Sequence, residues 1–191
     1  MSLGVTEICN LALGHIGADR IGHIDEDSTE ARQCKRFFHA SRDAALREYD
    51  WDFARRRAGL ALLADTATEW RFVYQLPADC LAPRELARNW RGDPPIPFRI
   101  EGTRLLTDRP EAVLIYTGRV ASAGLLDPLF ARAFSLHLAA QIAMPLTQDK
   151  QLLQLIEQRY ALALAVAKTA DANQWKEVAP APVPDWIAAR G

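Results

Sequence analysis

The chain is poor in the residues that mark catalysis or metal chemistry. Its three cysteines, Cys9, Cys34 and Cys80, stand far apart. An odd count without close pairing suits neither a disulfide framework nor a zinc site. The four histidines, His15, His23, His39 and His137, form no HxxxH or HExxH pair. There is no nucleophile elbow, no phosphate-binding loop and no dinucleotide fingerprint. A charge excess is missing too: 23 Lys and Arg against 24 Asp and Glu leave a net charge of −1. That balance argues against a nucleic-acid reader working through a strongly basic surface. No run approaches the ~18 apolar residues of a membrane span. No basic stretch precedes an apolar one at the N-terminus, so no signal peptide is expected. Together these absences suggest a soluble protein made for a reducing compartment, with no enzymatic activity, no cofactor and no metal.

The reactive side chains that are present have ordinary explanations. His15 and His23 flank a loop holding Asp19, Asp25 and Asp27, where solvated charges are expected rather than a metal site. Glu26 and Asp27 are adjacent in that loop and read the same way. Cys80 follows the turn-like Leu76-Pro77-Ala78-Asp79 and is expected to be a packed thiol. Cys9 and Cys34 fall on apolar helix faces and are expected to be buried.

Half of the residues, 49%, are apolar, enough for a real core. Val5, Ile8, Cys9, Ala12, Leu13 and Ile16 share one face of a helix over roughly 4–16, with Gly17 as its stop. Ser28 or Thr29 caps a second helix running to about Tyr49, with Ala31, Cys34, Phe38, Ser41, Ala45 and Tyr49 inward and Phe37 beside them. From Trp51 to Val120 the helical period disappears and prolines and glycines punctuate short runs. Ala58–Leu63, Pro97–Ile100, Arg104–Thr107 and Ala112–Thr117 read as strands, with a tight hairpin at Glu101-Gly102-Thr103. Asp127-Pro128 then opens a third helix with Leu129, Ala133, Leu136, Ala140 and Ala143 on one face, Phe130 and Phe134 adjacent, and Pro145 as its end. Thr147 or Asp149 starts a fourth, on which Leu152, Ile156, Tyr160, Ala163, Ala167 and Ala170 repeat at helical spacing. Leu13 and Ile156 are expected to be buried.

The fold expected from this pattern is mainly α: a four-helix bundle with an inserted small β-rich lobe and an extended C-terminal arm. The bundle takes residues 1–50 and 121–174, the lobe 51–120 and the arm 175–191. The arm holds Trp175 and Trp186 around Pro180, Pro182 and Pro184. Alternating prolines forbid a helix or a central strand, yet solvated tails are poor in aromatics. An extended, aromatic arm is expected to dock on a partner or on the chain's own body. Arg55-Arg56-Arg57 is the one basic run. It could touch phosphates or line a DNA channel, but a salt-bridged or solvated strand edge is the plainer expectation. Trp70, Tyr74 and Trp90 could stack on bases, although core or turn anchoring suits them better.

Four stretches in order carry a resemblance. They are Asn10-Leu11-Ala12-Leu13-Gly14-His15-Ile16-Gly17, Trp51-Asp52-Phe53-Ala54, Trp70 through Leu81, and Phe134 to Pro145 leading to Ala170-Asp171-Ala172-Asn173-Gln174. Over roughly residues 5–174 the chain resembles the tail tubular protein A family of tailed bacteriophages and prophages, the head-to-tail adaptors also called connectors or gatekeepers. The resemblance implies a virion structural protein at the head–tail junction, made in the host cytoplasm. It implies a ring that matches the portal's twelve-fold symmetry and meets the tail tube or nozzle, with DNA passing through the centre. The helices and C-terminal segment would face the portal protein and the β lobe the tail. No catalytic residues come with the resemblance. A small enzyme or ligand-binding protein without a recognisable motif, and a DNA-binding accessory protein, are the alternatives.

Overall fold

The computed structural model describes residues 3–65, 69–90 and 92–174. Four helices, α1 (Val5–Ile16), α2 (Thr29–Arg47), α3 (Pro128–Thr147) and α4 (Lys150–Ala172), flank a β region between α2 and α3. Its strands are β1 (Arg55–Gly59), β2 (Ala61–Leu62), β3 (Phe72–Gln75), β4 (Cys80–Leu86), β5 (Arg99–Glu101), β6 (Arg104–Thr107) and β7 (Val113–Gly118). The mainly α expectation is overturned. Helix makes up 48% and strand 18%, and the strands form two antiparallel sheets, so the fold is a mixed α/β one and not chiefly a helix bundle. The sheets run β1-β7-β4 and β2-β3-β6-β5. The physical reason lies in β3 and β4, which the sequence pattern did not reveal. β4 contains Pro83, and its register against β7 shifts between Cys80 and Ala82 and again between Pro83 and Glu85. Such bulges erase the alternation by which a strand is read. With β3 and β4 in place, the region closes its own apolar core around Tyr74, Leu86, Leu105, Leu114 and Tyr116.

Helix boundaries follow local chemistry. Gly17 takes the left-handed conformation at φ 69° and its N–H returns to α1 carbonyls. Ser28 caps α2 by accepting from Ala31 N. Asp127 and Asp149 cap α3 and α4, each accepting from two backbone amides. Pro145 does not end α3, which continues to Thr147. A proline this near the C-terminus removes only the donor for the carbonyl of Gln141, itself an exposed residue, and the helix needs just one more half-turn. The turn comes instead at Gln148, in the left-handed region at φ 54°. The expected hairpin is present: Glu101 pairs with Arg104, and Gly102 sits at φ 60° in the two-residue connection.

α3 is the central helix. It packs against α1, α2 and α4 and buries residues on every side, from Phe130 and Ala131 to Ile142 and Ala143. Its length and apolar composition alone would suit a membrane span; burial against three helices accounts for them here. Leu13 and Ile156 are both fully buried, as expected. Phe38, Trp51, Phe130 and Phe134 form an aromatic chain through the core, with edge contacts at 5.2 Å between Phe38 and Phe134 and 5.0 Å between Trp51 and Phe130. Cys9 and Cys34 are buried free thiols. The neighbouring Cys34 thiol, with burial, pushes the Cys9 thiol up.

The two cores are stitched by arginines. Arg84 of β4 donates to the Arg47 carbonyl at 3.1 Å and the Tyr49 carbonyl at 2.6 Å. It also donates to Thr117 Oγ1 at 2.9 Å. One guanidinium therefore covers the carbonyls at the end of α2 and fixes β4 to β7. Leu81 of β4 belongs to the helical core, as do Trp51 and Ala54.

Candidate functional site

The basic run forms β1, an edge strand paired with β7. Arg55 meets Asp50 and, at 2.8 Å, Glu85. Arg56 meets Asp79 and donates to the Arg119 carbonyl at 3.1 Å. Asp79 also accepts from the Tyr116 hydroxyl at 3.1 Å. Two of the three arginines are thus neutralised inside the fold. Arg57 is exposed. It lines an open groove of about 500 Å³ with Arg88 and Trp90, whose indole is 74% exposed. Glu85 lines the same groove and pairs with both Arg55 and Arg88. The surface is therefore mixed in charge rather than basic.

The three lobe aromatics separate. Tyr74 is buried and its hydroxyl donates to the Arg109 carbonyl at 3.0 Å, so it has no face to offer a base. Trp70 is half-buried in a hollow with Pro94, Pro95 and Pro97. Trp90 alone presents its ring, beside Arg57.

The loop after α1 is organised internally. Glu26 accepts from Gly22 N at 2.7 Å and from the Ser28 hydroxyl at 2.8 Å, so it is not merely solvated. These bonds hold its carboxyl below the usual range, the Ser28 hydroxyl most. Asp25 pairs with Lys35 at 2.6 Å and Asp27 with Arg32. The described residues hold no cluster of three or more potential metal-ligating side chains. Cys80 is half-buried, and burial with the neighbouring Asp79 carboxylate pushes its thiol up to about 11, away from thiolate chemistry.

His15 and His137 are both shifted down from the histidine norm, mainly by burial. For His15 the Arg159 and Arg132 guanidiniums add to the effect. Its Nε2 lies 3.1 Å from Ser135 Oγ, which gives its hydrogen to the Arg132 carbonyl at 2.8 Å. His15 therefore donates through Nε2. The serine that His15 faces is buried and its hydroxyl hydrogen is already engaged with a backbone carbonyl.

Helix α4 carries a feature the sequence reading missed. Leu155, Leu162 and Val166 are all exposed. The signal was a second stripe at helical spacing, Leu155, Arg159, Leu162 and Val166, beside the buried one. Trp175, Pro180, Pro182, Pro184 and Trp186, the expected docking arm, lie outside the described residues, immediately after α4.

No protein-family model matches this chain, and no curated protein matches it.

Proposed function

We propose that this protein is a structural head-to-tail adaptor of a tailed bacteriophage or prophage. It forms a ring between the portal protein and the tail tube or nozzle protein, at the head–tail junction of the virion, with DNA in passage. It carries no catalysis of its own and reads no DNA sequence. The observation that carries this reading is the order of the four stretches that resemble the tail tubular protein A family. Those stretches hold joints of this fold. Asn10 exchanges two hydrogen bonds with the backbone of Ile21, at 3.0 and 2.8 Å. The Asp171 carboxylate accepts from Asp52 N at 3.3 Å, joining the second stretch to the fourth. Asp79, in the third, anchors Arg56 and Tyr116. Residues in these stretches thus join separate parts of the chain, which suits a protein whose work is to hold two others in register.

A closing ring needs two different patches on each subunit. The uncovered stripe of α4 and the Arg57–Trp90 groove are two such surfaces, one on each part of the molecule. The arm with Trp175 and Trp186 supplies aromatic anchors of the kind that dominate interface energies.

The test is size-exclusion chromatography with light scattering on the protein alone, on the portal protein encoded with it, and on their mixture. Co-elution at one adaptor per portal subunit is the expected result. No association with portal or tail components, or turnover of a small substrate by the purified chain, would overturn the reading.

A further inference from the structure

Helices α3 and α4 are joined through Gln148 and Asp149 alone and pack side by side as an antiparallel pair. Counted from that turn, Leu136 stands opposite Leu162, and Arg132 opposite Val166. With Leu129 and Arg159 they line an open groove of about 300 Å³. Leu162 is 70% exposed and Val166 57%, although both sit well inside a long helix. No carboxylate among the described residues pairs with Arg132 or Arg159. His15 of α1 also lines the groove, and its 3.1 Å contact with Ser135 sets it at a level between the two arginines. Burial first, and then the Arg159 and Arg132 guanidiniums, hold that imidazole below the histidine norm. Both positive charges therefore act on one point of the groove.

We propose that this groove binds a medium-chain aliphatic oxyanion, with its carboxylate or phosphate head between Arg132 and Arg159 and its chain along Leu136, Leu162, Val166 and Leu129. The head follows from charge. Two guanidiniums without a counter-ion attract an anion, and their forked donors match the oxygens of a carboxylate or a phosphate in pairs. The chain follows from the walls, whose apolar part is aliphatic and suits an alkyl chain rather than a flat ring. Its length follows from the helix rise. From the level of Ser135, where the head sits, to Leu129 is about 9 Å along α3, the span of an extended octyl chain. The volume stands at the lower end of the range for small-molecule sites, about 300–1,000 Å³, and an apolar lining with a few convergent polar groups is their usual make-up. The site goes beyond the adaptor reading and does not rest on it.

Methyl NMR on the full chain, with leucine and valine labelled, tests this. Octanoate and octyl phosphate are titrated in below their micelle concentrations. Saturable shifts of the Leu136, Leu162 and Val166 methyls are expected, with those of buried Leu13 unmoved, and the tighter ligand identifies the head. Octyltrimethylammonium should bind at least about tenfold more weakly, for want of a charge-assisted contact. Butanoate should do so too, since each buried methylene is worth about fourfold. Arg132→Gln with Arg159→Gln should weaken octanoate about tenfold or more. Both arginines are exposed, so the fold should survive, and the Leu13 methyls report whether it does. Leu162→Asp, also on the surface, should abolish binding. No saturable shift at millimolar ligand would overturn the proposal. Equal binding of the cationic amphiphile, or an affinity indifferent to both arginine substitutions, would overturn it as well. Groove methyls that shift with protein concentration alone would give the groove to a second copy and overturn it equally. Portal binding does not enter this readout, so either idea can fail alone.

Discussion

The helical part and the β part of this protein are held together by different means. The helical core is deep: Phe38, Trp51, Phe130, Phe134, Leu13, Leu46, Leu138 and Ile142 are all fully buried. Among the described residues, the β part has three large apolar side chains buried as fully, Leu86, Leu105 and Leu114. It compensates with ionic and hydrogen-bonded contacts, Arg55 to Asp50 and Glu85, Arg56 to Asp79 and Arg84 to the end of α2. Packing in the first region is nondirectional and tolerates conservative exchange. The second depends on single atoms in place. A small core cannot stabilise a region strongly by itself, so the β part relies on its attachment to α2.

The largest effects test that contrast directly. Leu13→Ala and Ile156→Ala should each cost about 2–5 kcal/mol, and Leu105→Ala a similar amount locally. Amide hydrogen exchange separates them: the helical substitutions should speed exchange throughout, and Leu105→Ala chiefly in β3 to β7. Equal acceleration everywhere after Leu105→Ala would show one cooperative unit and dissolve the distinction.

Arg84→Ala comes next, at roughly 1.5–3 kcal/mol for hydrogen bonds from a charged donor, toward the low end because the side chain is partly exposed. It should split a single thermal unfolding transition into two, with the β part melting first. A single transition at the parent's midpoint would remove Arg84 from the joint.

pH should act on the helical part. His15 and His137 have folded pKa values below the ordinary 6.5, chiefly through burial. The unfolded chain therefore binds protons more readily. Stability is full above about pH 6.5 and declines as pH falls from there toward the folded values. Urea midpoints from pH 7.5 to 5 should fall, and His137→Gln should flatten the curve. Midpoints that rise on acidification would contradict the burial of both rings.

The smallest effect on stability is expected from deleting residues 176–191. The melting temperature should drop only slightly, while the attachment to a portal that we propose should weaken markedly. A steep drop in the melt with unchanged portal binding by the folded fraction would make the segment a part of the core instead.

Much of the helical part was legible because its signals are local. Gly17, Ser28, Asp127 and Asp149 cap by residue type, and Ala31, Cys34, Phe38 and Ala45 repeat at helical spacing. The β part was legible only in pieces. β3 has four residues, too few for a period, and the bulges around Pro83 hide β4. Without those two strands the region looks like an appendage, which is why a mainly α fold was expected. Pro145 misled because its effect depends on how much helix remains beyond it. Of the candidate site residues, Arg55 and Arg56 gave no sequence sign of their carboxylate partners. Asp79 lies 23 residues from Arg56, and Glu85 lies 30 from Arg55. The uncovered stripe of α4 was readable as spacing, but which of two apolar stripes is buried depends on where α3 sits.

The β1–β7 ladder has a consequence for how the chain can vary. Arg55, where the β region begins, is paired with Thr117, where it ends. Entry and exit are thus clasped side by side, and the helices on either side meet whatever the length of chain between them. Closing a longer loop costs only about 0.6 kcal/mol for each doubling. Of the chain beyond the clasp, the β2-β3-β6-β5 sheet and its hairpin can lengthen, shrink or be exchanged with little demand on the helical core, whereas β4 cannot, because Leu81 packs in that core and Arg84 covers the end of α2. The clasp makes that sheet a replaceable module, able to change while the helices stay as they are.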